Sequence, residues 1–133
     1  MRRIHMNPDT VAPPVGSYSH VVRVEAADTV WLHVSGQLAL DPDGALVGPG
    51  DMRAQTERVF ENIRLILAAN GGAFEHVVKL QTFVTSFDDL AAMREVRGRY
   101  LRAEPPASTT VQVVALVLSE ALIEVDAVAA MPA

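Results

Sequence analysis

The 133-residue chain predicts an α+β domain in the order ββαβαββ, a single mixed sheet covered on one face by two helices. Three observations predict it. Two segments, 51–70 and 86–103, carry apolar residues at helical spacing on one side only. Five shorter segments read as strands, most of them alternating between two faces. Turn residues separate these segments, and no repeat or long linker interrupts them. A chain of this length is one domain, residues 1–133, and half of it is apolar, enough to bury a sizeable core.

The first stretch, through Val15, holds three prolines and reads as an irregular lead-in. Residues 18–25 and 29–36 are two strands separated by Ala26-Ala27-Asp28, with Trp31, His33 and Ser35 opposing Val30, Leu32 and Val34. Asp41-Pro42-Asp43-Gly44 is a turn. The first helix, 51–70, gathers Val59, Ile63, Ile66 and Leu67 on one face and stops at Asn70-Gly71-Gly72. Residues 76–85 form the middle strand, with Val78, Leu80, Thr82 and Val84 on one side and Val77, Lys79, Gln81 and Phe83 on the other. Ser86 is the expected N-cap of the second helix, which buries Leu90, Met93, Val96 or Arg97, and Tyr100. Glu104-Pro105-Pro106 ends it. Residues 109–117 and 122–130 complete the sheet. Two helices cover only one sheet face, leaving Val77, Phe83, Val114 and Val128 on the other, an apolar patch that marks an interface.

Composition excludes several classes. There is no cysteine, hence no disulfide framework and no thiolate chemistry. No apolar run is long enough to span a membrane. The N-terminus is basic without the apolar core of a secretory signal, so a cytoplasmic location is expected. The net charge of −5 and only seven aromatic residues disfavour nucleic acid as a partner. Gly48-Pro49-Gly50 is a turn rather than a phosphate loop, and no cofactor is expected. His20 and His33 on paired strands lack a third ligand at metal-like spacing, so no metal site is expected.

Gly16-Ser17-Tyr18-Ser19-His20, Val34-Ser35-Gly36-Gln37, Ala54-Gln55, Asn62, Val77-Val78-Lys79, Pro106-Ala107, Val111-x-Val113-x-x-Leu116 and Glu124-Val125-Asp126-Ala127-Val128-Ala129 occur in this order. Their order and spacing resemble the RidA family across nearly the whole chain. The resemblance implies a RidA-like, chorismate-mutase-like fold assembled as a homotrimer, with small-molecule clefts between neighbouring subunits. In active members the substrate is a 2-imino or 2-enamino acid, hydrolysed to a 2-oxo acid and ammonia.

The chain departs from that pattern at Ser108, where active members carry an arginine in Pro-x-Arg. An arginine fork grips a carboxylate with two parallel bonds, whereas a serine hydroxyl offers one neutral bond. Loss of such a pair in a desolvated site costs about 2–5 kcal/mol. The resemblance places Glu124 where an acidic residue holds the attacking water; its alternative is a solvent-facing strand glutamate. Tyr18 lines the cleft or is an ordinary strand tyrosine. Ser35, Gly36 and Thr109 complete the expected substrate-binding set. Arg94 stands where the family's second helix carries an asparagine. It is either a solvated arginine or, with Arg97 one turn on, a replacement for the missing charge. Ser108 and Glu124 are the expected catalytic residues. Two readings follow: hydrolytic deaminase-type chemistry on an imine, enamine or related metabolite, or a non-catalytic ligand-binding or regulatory trimer. An endoribonuclease is the least favoured.

Overall fold

A computed structural model describes residues 1–133. The strands are β1 (Arg2–Met6), β2 (Val21–Ala26), β3 (Thr29–Gln37), β4 (Val77–Val84), β5 (Ala107–Gln112) and β6 (Ile123–Pro132). Helix α1 (Met52–Ala68) lies between β3 and β4, and α2 (Leu90–Tyr100) between β4 and β5. The strands form one six-stranded sheet in the order β1-β2-β3-β6-β4-β5. Only β4 and β5 run parallel, because α2 is the crossover that joins them. No helix is long and apolar enough to cross a membrane.

The predicted architecture holds, with one strand added. Residues 2–6 pair antiparallel with β2, Arg2 opposite Glu25 and Met6 opposite Val21, so the lead-in begins as a sheet edge. Only Ile4 and Met6 of this strand are even partly buried, and Arg2 reaches Glu25 at 3.8 Å. A charged edge of this kind blocks further strand addition and carries little apolar signal.

Helix α1 supplies most of the core. Val59, Phe60, Ile63, Ile66 and Leu67 are fully buried against Leu32, Leu80, Ile123 and Val125 of the sheet. Each such side chain contributes roughly 1.5–3 kcal/mol by burial. The Asp51 side chain accepts the Ala54 N–H at 3.0 Å and caps the helix. At the other end Gly71 takes φ +77°, while the Gly72 N–H reaches the Leu67 carbonyl at 2.8 Å. Helix α2 buries only Met93 and Val96 fully; Tyr100 packs on Phe60 and Phe74. Ser86 does not cap α2. Its hydroxyl accepts the Asp88 N–H at 3.1 Å, shaping the turn before Asp89, and the helix begins at Leu90.

Two extra residues in the sheet decide which side chains face where. Val77 pairs with Ala129 but Lys79 pairs with Val128, so Val78 is a bulge. The bulge turns Val77 into the core and Val78 outward, the reverse of strict alternation. A second bulge occurs at Ser35-Gly36, between the pairs Val34–Ala127 and Gln37–Val125. Strand β5 ends at Gln112, and Val114 projects from the loop beyond it rather than from the sheet. The uncovered sheet face therefore carries Val22, Val24, Trp31, Phe83 and Val128.

Candidate functional site

Glu124 is the second residue of β6 and alternates with buried Ile123 and Val125, so its side chain leaves the core for the uncovered face. There it lies over Gly36. A Cβ added to Gly36 would fall 2.8 Å from the Glu124 carboxyl carbon, so any side chain there would displace the carboxylate from its present seat. The bulge at Ser35-Gly36 brings this bare backbone under the carboxylate. Tyr18, Ser35, Gly36, Val117 and Glu124 line one open depression of about 280 Å³. The structure thus brings together four of the residues singled out from sequence.

The wall carrying Tyr18 is not strand but a bent segment tied to β3. The Ser35 hydroxyl donates to the Ser19 carbonyl at 2.6 Å, and the Ser35 N–H donates to the His20 carbonyl at 2.9 Å. Ser35 is therefore a fastener first. The Tyr18 hydroxyl accepts the Val15 N–H at 3.3 Å, and its ring meets the His20 ring edge-on at 6.1 Å. His20 is buried: Gln37 Nε2 donates to its Nδ1 at 3.1 Å, which leaves Nε2–H to donate to the Ala12 carbonyl at 2.6 Å. His33 projects from the uncovered face opposite Val22. The two histidines do not face a common space, and His20 holds the cleft wall together.

The cleft is acidic. Burial, and then the neighbouring Asp126 charge, push the Glu124 carboxyl above the usual carboxylate range. Burial likewise raises Asp126, against the opposing pull of Lys79. A carboxyl raised in this way holds and releases protons closer to neutrality than a surface glutamate does. Asp126 was not among the expected site residues, although its i, i+2 spacing from Glu124 puts both on one face.

Ser108 lies elsewhere. It pairs with buried Leu80 across the parallel β4–β5 ladder, so it faces the helix layer, while Thr109 beside it pairs with Gln81 and faces the open side. Arg94, Arg97, Ser108 and Thr110 line a second depression of about 460 Å³ between α2 and β5. Within one protomer the expected catalytic pair, Glu124 and Ser108, sits on opposite sheet faces, and Thr109 lines neither depression. Thr110 is the additional member; its two-residue spacing from Ser108 was the available signal.

Behind the first cleft, α1 fixes the loops. Gln55 is fully buried, donates to the Gly48 and Glu120 carbonyls at 3.2 and 3.0 Å, and accepts the Leu122 N–H at 2.8 Å. Asn62 donates to the Leu38 and Leu40 carbonyls at 3.2 and 2.9 Å. These two side chains hold the segments that lead into β6 and out of β3.

The comparisons with known proteins agree with the fold. Residues 9–131 match the family model described as Endoribonuclease L-PSP. Protein DfrA of Myxococcus xanthus is 43% identical over 129 residues, covering 97% of this chain and 96% of that protein. The 3-aminoacrylate deaminase RutC of Acinetobacter baylyi is 38% identical over 122 residues, covering 92% and 93%. The crystal structure of RidA from an Antarctic Psychrobacter superposes with a TM-score of 0.85 at 34% identity, covering 96% of this chain and 99% of that one.

Proposed function

Because the chain belongs to the RidA family, the family matched by the endoribonuclease L-PSP model, we propose that it is a homotrimeric hydrolase of the deaminase type, acting on a small imino or enamino acid. The observation that carries this reading is Glu124, a carboxyl with a raised proton affinity seated over the bare backbone of Gly36 in an open cleft. The relative named 3-aminoacrylate deaminase supports it, since 3-aminoacrylate is an enamine bearing a carboxylate.

The chemistry suits the cleft. Ionised Glu124 accepts a hydrogen bond from a water molecule and takes one of its protons as the oxygen attacks the imine carbon. The C=N electron pair moves to nitrogen, which takes that proton from Glu124. Glu124, ionised again, then accepts the proton of the new hydroxyl and passes it to nitrogen as the C–N bond breaks, so ammonia leaves and the oxo group remains. Tyr18 walls the cleft, and Ser35 holds that wall in place.

Two other readings have specific observations behind them. Ser108, at the position where the family resemblance implies an arginine, favours a trimer that binds ligand without turnover. The family description favours an endoribonuclease, but Glu124 and Asp126 would face the phosphates and repel them.

The test is ammonia release from freshly generated 2-iminobutyrate by wild type, Glu124→Gln and Ser108→Arg. Activity in wild type that is lost in Glu124→Gln supports the hydrolase. Binding without turnover in wild type, with activity gained by Ser108→Arg, supports the non-catalytic trimer instead.

A further inference from the structure

Helix α2 has two charged flanks of opposite character. On one, Arg99 bonds to Glu57 and Glu95 at 3.1 and 3.2 Å, and Arg53 of α1 reaches Glu95 at 2.9 Å. These charges neutralise one another. On the other flank, Arg94 and Arg97 stand one turn apart with no ion pair and no side-chain hydrogen bond. Both line the depression against β5, whose facing residues there, Ser108 and Thr110, bear hydroxyls.

Two features set this place apart from a solvated helix face. Arg97 is half-buried, and burial together with the Arg94 charge pushes its guanidinium below its ordinary proton affinity. Like charges held together without a counter-charge are a standing cost unless an anion joins them. The second feature is Gly98. A Cβ there would meet nothing within 4 Å, so packing does not require glycine. Glycine is a poor residue inside a helix, and here it leaves the depression open.

We propose that Arg94 and Arg97, with the hydroxyls of Ser108 and Thr110, form an oxyanion site that takes the carboxylate of a small 2-oxo or imino acid. Two guanidinium forks and two hydroxyls match the acceptor lone pairs of one carboxylate and an adjacent oxo group. The charge absent at position 108 is then supplied from the helix opposite. The choice of carboxylic acid rests on the function proposed above. The Glu124 cleft lies on the other sheet face of the same protomer, so one small acid could touch both only where two copies of the proposed trimer adjoin.

The test is equilibrium binding of 2-oxobutyrate by calorimetry, a readout independent of turnover. Wild type is expected to bind, and Arg94→Gln and Arg97→Gln each to bind about tenfold more weakly, a loss of ~1.4 kcal/mol. Arg99→Gln, on the neutralised flank, is expected to bind like wild type. The neutral amide of 2-oxobutyrate is expected not to bind. Thermal melts confirm that each variant is folded. Unchanged binding in both the Arg94 and Arg97 variants, or no binding by wild type, overturns the site. Arginine-dependent binding of inorganic phosphate without binding of 2-oxobutyrate also overturns it, assigning the cluster to phosphate. Failure of the deaminase reading would show differently, as arginine-dependent binding of the acid with no ammonia released from 2-iminobutyrate.

Discussion

Glu124 and Gly36 act as one unit. The carboxylate occupies the space in which any other residue at position 36 would keep its Cβ. Gly36→Ala therefore forces the carboxyl aside. Moving the free end of one flexible side chain should cost only about 0.5–1.5 kcal/mol of stability, while ammonia release should fall; a denaturant titration beside the activity assay reads both. The raised pKa of Glu124 has a consequence for stability. Below the ordinary carboxylate range both folded and unfolded states are protonated, and Glu124 costs nothing. As pH rises past that range the unfolded chain ionises first, so the folded state binds more protons and stability falls until the raised folded pKa is passed. Glu124→Gln removes the effect. Its Tm should exceed that of wild type at neutral pH and converge on it near pH 4, and a higher wild-type Tm at neutral pH would sink the assignment. At this scale the sequence offered candidate residues, four of which share one depression, but did not reveal which of the others meet. Tyr18, Gly36 and Glu124 carried the family's spacing, but the side taken by Ser108 depends on the register of β5 against β4, which alternation within one strand does not reveal.

Among the elements, the helices were the most legible. Val59, Ile63, Ile66 and Leu67 repeat at 3.6-residue spacing, and all are buried as that spacing requires. Strand β1 was hidden for a physical reason, since an edge strand bearing Arg2, Arg3 and His5 buries too little to leave a periodic trace. The loops on either side of the Glu124 cleft depend on single polar side chains from α1. Gln55 satisfies three part-buried backbone groups of the loops, one of them the N–H of Leu122 just before β6. Gln55→Ala leaves those groups without partners and should lower stability by about 2–3 kcal/mol. Urea denaturation measures the loss, and a change below about 0.5 kcal/mol would mean that water replaces the amide without penalty.

For the whole molecule, the uncovered sheet face is the dominant fact. Trp31 remains 39% exposed, among Val22, Val24, Phe83 and Val128. A patch of this kind on an isolated chain calls for a partner, and the proposed trimer supplies one in further copies of itself. Wild type is expected to sediment as a trimer at micromolar concentration and Trp31→Glu as a monomer. A monomeric wild type would remove the basis for any cleft shared between subunits. Strict alternation anticipated the existence of this face and misplaced Val77 on it, because the bulge at Val78 reverses the sides taken by the residues before it.

That bulge makes one position in the sheet interior tolerant of a change in chain length. Removing a residue from a central strand ordinarily slips every side chain beyond it onto the wrong face. Val78 is the surplus residue itself. Without it, Val77, Lys79 and Leu80 would follow one another as inward, outward and inward, still opposite Ala129, Val128 and Ala127. A chain lacking Val78 should fold with the same core, whereas deletion of Leu80 or Gln81 should not. Near-ultraviolet circular dichroism of the three deletions would separate them, and equal loss of signal in all three would show the bulge to be indispensable. Homologous chains can accordingly differ by one residue at this point and still present the same two faces.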